Sequence, residues 1–264
     1  MPEPPAFPLI AVDVGNNRTK FGWFDVESDD RLPQPVRSLQ IDDHEPELER
    51  LSRWFEDRPE EPLSWWIGSV NRPTCTRLVD WLQEHRPDDR ATLLAAGDLP
   101  LEVTLERPDM VGIDRLLDAV AANGLREPSQ PAVVVDVGSA ITVDLLSPDG
   151  AFLGGAILPG IAMSARALHE FTDLLPRIEM AELNVPPPAL GTATVAAMRS
   201  GLFWGAVGAI RQLTEKLAEN ASGQPQIFLT GGAGPAVAQL LGQRAKHVPH
   251  LTLAGIVLAA LSAR

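Results

Sequence analysis

Residues 133–146 read VVVDVGSAITVDLL, and residues 10–24 read IAVDVGNNRTKFGWF. Each is an apolar run closing on Asp-Val-Gly, followed by small polar residues and a second apolar run. Apolar and β-branched runs flanking a short glycine turn predict a β-hairpin. In the first copy Gly15 and Asn16 stand at the bend, between strands expected over 8–14 and 21–26. In the second copy Gly138 and Ser139 hold the matching place. One aspartate-bearing turn therefore occurs twice, about half a chain apart, and a fold must explain the repetition.

The flanking sequence repeats in the same way. After the first hairpin, LSWWIGSV at 63–70 predicts a buried strand, and Leu78, Val79 and Leu82 predict an amphipathic helix over 73–85. A short strand near 92–95 leads into the loop LERPDMVGIDR. Beyond it Ile113, Leu116, Leu117, Val120 and Ala121 recur at helical spacing. REPSQP at 126–131 breaks that pattern and marks a boundary between subdomains 1–127 and 128–264. The second hairpin continues through Pro148-Asp149-Gly150, a turn signal, into a third strand. Helices over 161–174 and 192–218, the strand and glycine turn QIFLTGGAG, a helix over 235–242 and a closing apolar helix complete the order. One α/β unit used twice is the expected architecture, with a ligand cleft between the copies.

Composition narrows the function. The chain has 264 residues and a net charge of −13, which argues against a nucleic-acid or anionic-membrane partner reached through a basic field. The longest apolar runs, 200–210 and 251–262, are too short to span a bilayer. Cys75 is the only cysteine, no Cys/His spacing suggests zinc, and MPEPPAFP lacks the start of a signal peptide. A cytoplasmic location is expected. Residues 25–62 hold thirteen acids against five basic residues, which reads as a solvated face with one helix around 45–57.

The repeated turn suits a polyphosphate. Glycine lets backbone N–H groups approach phosphate oxygens, and no Walker sequence offers the alternative solution. The turn at 13–20 offers Gly15, the amides of Asn16 and Asn17 and the ammonium of Lys20; the second offers Gly138, Ser139 and Thr142. The glycine turn at 231, 232 and 234 opens a helix whose amides could face a ribose or phosphate. Asp13 and Asp136 would hold cations, since a bare carboxylate beside phosphate is repulsive. Asp114, in the first turn of its helix beside Arg115, is the candidate base, with the helix dipole and the arginine expected to favour its charged form.

Together DVGNNRTKFG, PDMVGIDR, VVVDVGSAITVD, GGAILPGIAMS and LGTATVAAMRSGLFWGAVG resemble type III pantothenate kinase, in order from residue 10 to about 234. The resemblance implies duplicated ribonuclease H-like domains of the actin-like ATPase superfamily and a homodimer that phosphorylates pantothenate with ATP. It implies that Asp13, Val14, Gly15, Asn16, Asn17, Arg18, Thr19, Lys20 and Ser139 bind ATP, with Asp13 indirectly at magnesium. Gly112, Ile113, Asp114 and Arg115 would contact pantothenate, Asp114 as base and Arg115 on the substrate carboxylate. Thr194 would reach pantothenate in the partner subunit, and Asp136 would hold potassium or ammonium.

Several positions depart from the family pattern. Asn17 stands for its threonine, Ser139 for a second threonine, Ala193 for an asparagine, and Leu105 for a tyrosine. These departures leave open a non-catalytic regulatory or binding protein of the same fold. After Thr194, Gly201, Gly205 and Gly208 share one helix face, which reads either as packing within one subunit or as a dimer interface.

Overall fold

The computed structural model describes residues 5–25, 31–42, 48–55, 61–178, 185–242 and 245–263. The chain divides into two compact units. Unit 1 comprises residues 1–102, 106–125 and 250–264, and unit 2 comprises 103–105 and 126–249. The crossover after Leu125 falls beside the predicted boundary. The C-terminal helix, assigned from sequence to the second subdomain, belongs to unit 1.

Unit 1 is built on a five-stranded sheet of order β3-β2-β1-β4-β5. Its strands are β1 (Leu9–Val14), β2 (Arg18–Phe24), β3 (Arg37–Asp42), β4 (Ser64–Ser69) and β5 (Arg90–Leu93). β1 pairs antiparallel with β2 and parallel with β4, so the predicted hairpin forms, with Asp13 opposite Lys20. Every residue of β1 is buried, as expected of a central strand covered on both faces.

One face packs against α1 (Leu48–Phe55) and α2 (Arg72–His85). Ile10, Val12 and Val14 meet Leu51, Trp54, Leu78 and Leu82 there. Phe21, Trp23, Trp54, Phe55 and Trp65 form a network of rings with centroids 5.1–6.5 Å apart. The acidic segment is thus more than a solvated face. It supplies the edge strand β3, and its helix buries Leu51 and Trp54. The acids at 27, 29, 30, 43, 45, 47, 56, 57 and 60 lie outside the described residues.

The other face carries α3 (Ile113–Leu125) and α7 (Leu251–Ser262). Two glycines give these helices room. A Cβ at Gly68 would lie 2.6 Å from Leu117 Cδ1, and one at Gly22 would lie 3.1 Å from Leu253 Cδ1. α7 is apolar nearly all round, which fits a helix buried on most sides.

Unit 2 repeats the plan on a sheet of order β8-β7-β6-β9-β10. Its strands are β6 (Ala132–Val137), β7 (Ala140–Leu146), β8 (Phe152–Pro159), β9 (Gln226–Thr230) and β10 (Ala245–His247). The correspondence reaches single residues. Asp136 lies opposite Thr142 on the antiparallel side and Thr230 on the parallel side, as Asp13 lies opposite Lys20 and Gly68. Val133, Val135 and Val137 pack with Phe203, Val207 and Ile210 of α5 (Thr194–Ala218) and Val237 of α6 (Gly234–Leu241).

α4 (Ile161–Glu170) stops short of the predicted 174, and its Leu168 carbonyl accepts a hydrogen bond from Thr172 Oγ1. On α5, Gly201, Gly205 and Gly208 have open space where a Cβ would stand, with nothing within 4 Å. Packing within the described residues of one subunit therefore does not explain that glycine face.

Candidate functional site

The turn after β1 is closed by backbone: Gly15 N donates to Arg18 O at 3.0 Å, and a Cβ at Gly15 would crowd that oxygen at 2.9 Å. Val14 and Thr19 are buried at its base, while Asn16 and Arg18 are exposed. The Arg18 side chain turns to Asp42 on β3, Nε to Oδ1 at 3.2 Å. Lys20 reaches the other way. Its Nζ donates to Asp13 Oδ2 at 3.3 Å, and the Asp13 side chain is almost fully buried.

Asp114 belongs to the same unit. Arg115 N donates to its Oδ1 at 2.9 Å and to Gly112 O at 3.1 Å. A Cβ at position 112 would lie 2.5 Å from that same Oδ1, so the carboxylate occupies space only a glycine leaves free. Burial pushes the Asp114 carboxyl above its ordinary pKa, and the neighbouring Asp13 charge adds to the rise. The Arg115 N–H, the Arg115 charge and Lys20 pull the other way and lose. This corrects the expectation that dipole and arginine would favour the charged form: the cost of desolvating a carboxylate outweighs both.

The same neighbourhood includes a residue that sequence reading passed over. His250, in left-handed conformation at φ 56°, stands at the N-cap position of α7. Its imidazole is held below the usual pKa by burial and then by the Lys20 charge. No motif signals it, because it lies far from the hairpin along the chain.

Unit 2 assembles a second cradle. Gly138 N donates to Ala140 O at 3.0 Å, and Gly160 N donates to Ser139 O at 3.1 Å. A Cβ at Gly160 would stand 2.3 Å from Ser139 O. Gly231, at φ 88°, presses on the carboxylate itself: a Cβ there would lie 2.3 Å from Asp136 Oδ1. Asp136 is therefore wedged between two glycine-bearing turns, at the position that corresponds to Asp13. Gly160 lies within the quoted GGAILPGIAMS but is given no role of its own there, although Pro159-Gly160 at a strand end is a turn signal. Thr194 lies apart from this cradle in the chain, exposed on the first turn of α5.

Among the described residues no group of three or more His, Cys, Asp or Glu could hold a metal ion by itself. Among them, too, no helix is long and apolar enough to cross a membrane.

The pattern described as Type III pantothenate kinase matches residues 9–216. A type III pantothenate kinase of Dehalococcoides mccartyi is 32% identical over 254 residues, covering 94% of this chain and 95% of that one. The chain belongs to the type III pantothenate kinase family. The family match takes in both aspartate turns, the Gly-Ile-Asp-Arg helix start and most of α5.

Two solved structures show the fold. A Campylobacter jejuni protein described as a Baf family transcriptional activator superposes with a TM-score of 0.57 at 21% identity, covering 95% of this chain and 96% of its own. The activator of 2-hydroxyisocaproyl-CoA dehydratase from Clostridium difficile, with bound ADPNP, gives 0.52 at 11% identity, covering 96% and 94%. The architecture is one α/β unit used twice, as the repeated turn predicted, and it is the fold of these two structures.

Proposed function

We propose that this member of the family transfers the γ-phosphate of ATP to the 4′-hydroxyl of pantothenate, giving 4′-phosphopantothenate, the first step toward coenzyme A. The observation that carries the proposal is Asp114: a half-buried carboxylate of raised proton affinity, in the same unit as the Asp13–Lys20 pair.

Phosphoryl transfer asks for positioning and charge neutralisation more than for covalent help. The amides of Asn16 and Asn17, together with Lys20, receive the phosphates; Gly15, whose own amide closes the turn on Arg18 O, holds the turn's shape with Val14 and Thr19, and Arg18 contributes backbone. Asp114 accepts the hydroxyl proton as the new O–P bond forms and the bond to the leaving ADP oxygen breaks. A raised pKa makes it a better acceptor of that proton. Gly112 and Ile113 shape the substrate contact and Arg115 binds the pantothenate carboxylate. Ser139 touches ATP.

Magnesium would be held chiefly by phosphate and water, with Asp13 serving it indirectly; among the described residues there is no clustered ligand set to hold it alone. Its chemistry is to neutralise phosphate charge. The Asp136 cradle fits a monovalent cation through its donor type: a carboxylate, the Thr142 hydroxyl across the hairpin and backbone oxygens of glycine turns.

A homodimer belongs to the same reading, with Thr194 serving the partner's pantothenate. It is supported by the open glycine face of α5 and by exposed Phe171, Leu174 and Leu190 in unit 2. Sedimentation should give twice the chain mass, and Gly205→Leu should give the single mass. A cytoplasmic location is supported by the lone, buried Cys75, which needs no oxidising compartment.

The test of the whole is ADP release measured with and without pantothenate and potassium. Release that depends on both is expected. Steady ATP hydrolysis indifferent to pantothenate would sink the assignment.

A further inference from the structure

The residue one turn beyond Asp114 on α3 is also an aspartate. Asp118 is only 3% exposed and accepts a hydrogen bond from Thr252 Oγ1 at 2.8 Å, the threonine being 5% exposed. Residues four apart on a helix share a face, so Asp114 and Asp118 stand one above the other. Thr252 lies in the first turn of α7, two residues after His250.

The two helices also meet by backbone. A Cβ at Gly255 of α7 would lie 2.0 Å from Leu117 O, so only a glycine lets α7 come this close to α3. On its other side Leu117 fills the space above Gly68, the residue paired with Asp13 on β4. α3 is thus gripped at Leu117 and Asp118, directly below the turn that presents Asp114.

Burying a carboxylate costs more than burying an apolar residue of similar volume, and a hydrogen bond from a neutral hydroxyl offsets only part of that cost. A pair of this kind fixes geometry better than it adds stability. None of the residues carried over from the family pattern lies on α7, and the pattern's match ends before it.

We propose that Asp118 and Thr252 are positioning residues, which clamp α3 to α7 and thereby hold Asp114 where it must meet the substrate hydroxyl. The inference rests on the reading of Asp114 as proton acceptor. Thr252→Val keeps the shape and removes the donor; Thr252→Ser keeps the donor and loses a methyl group.

Thr252→Val should lower kcat about tenfold with KM for ATP within about twofold, because the phosphate turn is untouched. Thr252→Ser should restore kcat to within about twofold of the parent, whatever its melting temperature. Amide hydrogen exchange across 113–117, read by mass spectrometry, should be about threefold faster in Thr252→Val and near parental in Thr252→Ser.

Parental kcat in Thr252→Val overturns the proposal, as does a loss of kcat that follows melting temperature in both variants. Unchanged exchange across 113–117 overturns it too. A parent chain that makes no phosphopantothenate removes the kinase reading instead, and the exchange rates alone then decide whether the pair holds the helix.

Discussion

The turns after β1 and after β6 share a register and differ in what stands across the hairpin. Asp13 faces an ammonium, Lys20, whereas Asp136 faces a hydroxyl, Thr142. Behind them the difference is reversed in kind. The parallel neighbour of Asp13 is Gly68, which admits a leucine from α3; the parallel neighbour of Asp136 is Thr230, followed by Gly231 pressed on the carboxylate. Duplication kept the carboxylate and let its surroundings diverge. On the proposed reading the first turn takes an anion and the second a cation, so one scaffold supplies two complementary grips.

The largest effect expected from breaking this comparison falls on unit 1. Asp114→Asn should lower kcat about 10³-fold while ADP still binds, measured by turnover and by calorimetric titration. The same variant should melt higher than the parent at neutral pH. The folded-state pKa of Asp114 is raised, so its ionised form opposes folding above that pKa, and the penalty is lost as pH falls through it. The melting advantage of the asparagine variant should therefore shrink as pH falls towards the ordinary carboxylate range. An advantage that grows on acidification contradicts the direction of the shift.

Next in size is Lys20→Met, which removes the ammonium that distinguishes the first turn. It should cost ~2 kcal/mol in kcat/KM for ATP, the scale of a charge-assisted hydrogen bond. Equal loss of kcat and kcat/KM would place the lysine's contribution in the transition state alone.

Gly231→Ala and Gly15→Ala compare the two turns by stability. The first forces a Cβ against Asp136 Oδ1 at φ 88° and should cost ~3 kcal/mol; the second meets only Arg18 O and should cost ~1 kcal/mol. Chemical denaturation of both variants gives the order. The smallest effect is Thr142→Val, which should change stability by less than ~1 kcal/mol and weaken the response to potassium more than the KM for ATP.

Much of this is legible in the sequence. The alternation around Asp-Val-Gly gave both hairpins, and the apolar spacing from Ile113 gave α3, because local patterns record local structure. Asp13 and Lys20, seven residues apart, share one hairpin and were readable as one grip. β3 and β10 were missed. The first is an edge strand of alternating exposure inside an acidic stretch, and the second has three residues. The apolar run at 251–262 announced α7 but not its destination, since a helix that is apolar nearly all round does not say which sheet it will cover. Contacts between Thr252 and Asp118, or the field of Lys20 at His250, depend on that destination. The rise in the Asp114 pKa was hidden for a related reason: burial is a property of the packed state, whereas the neighbouring arginine is visible in the sequence.

The placement of α7 has a consequence for how the chain is made. Unit 1 leaves the ribosome first but lacks the helix that covers one face of its sheet until all of unit 2 has been translated. Unit 2 is nearly continuous and can close while synthesis proceeds. The earlier-born half thus waits for the later one, the Gly22 surface that Leu253 covers bare in the interval. Ribosome-stalled chains ending before residue 250 should stay protease-sensitive across 9–69 and become resistant once α7 has emerged.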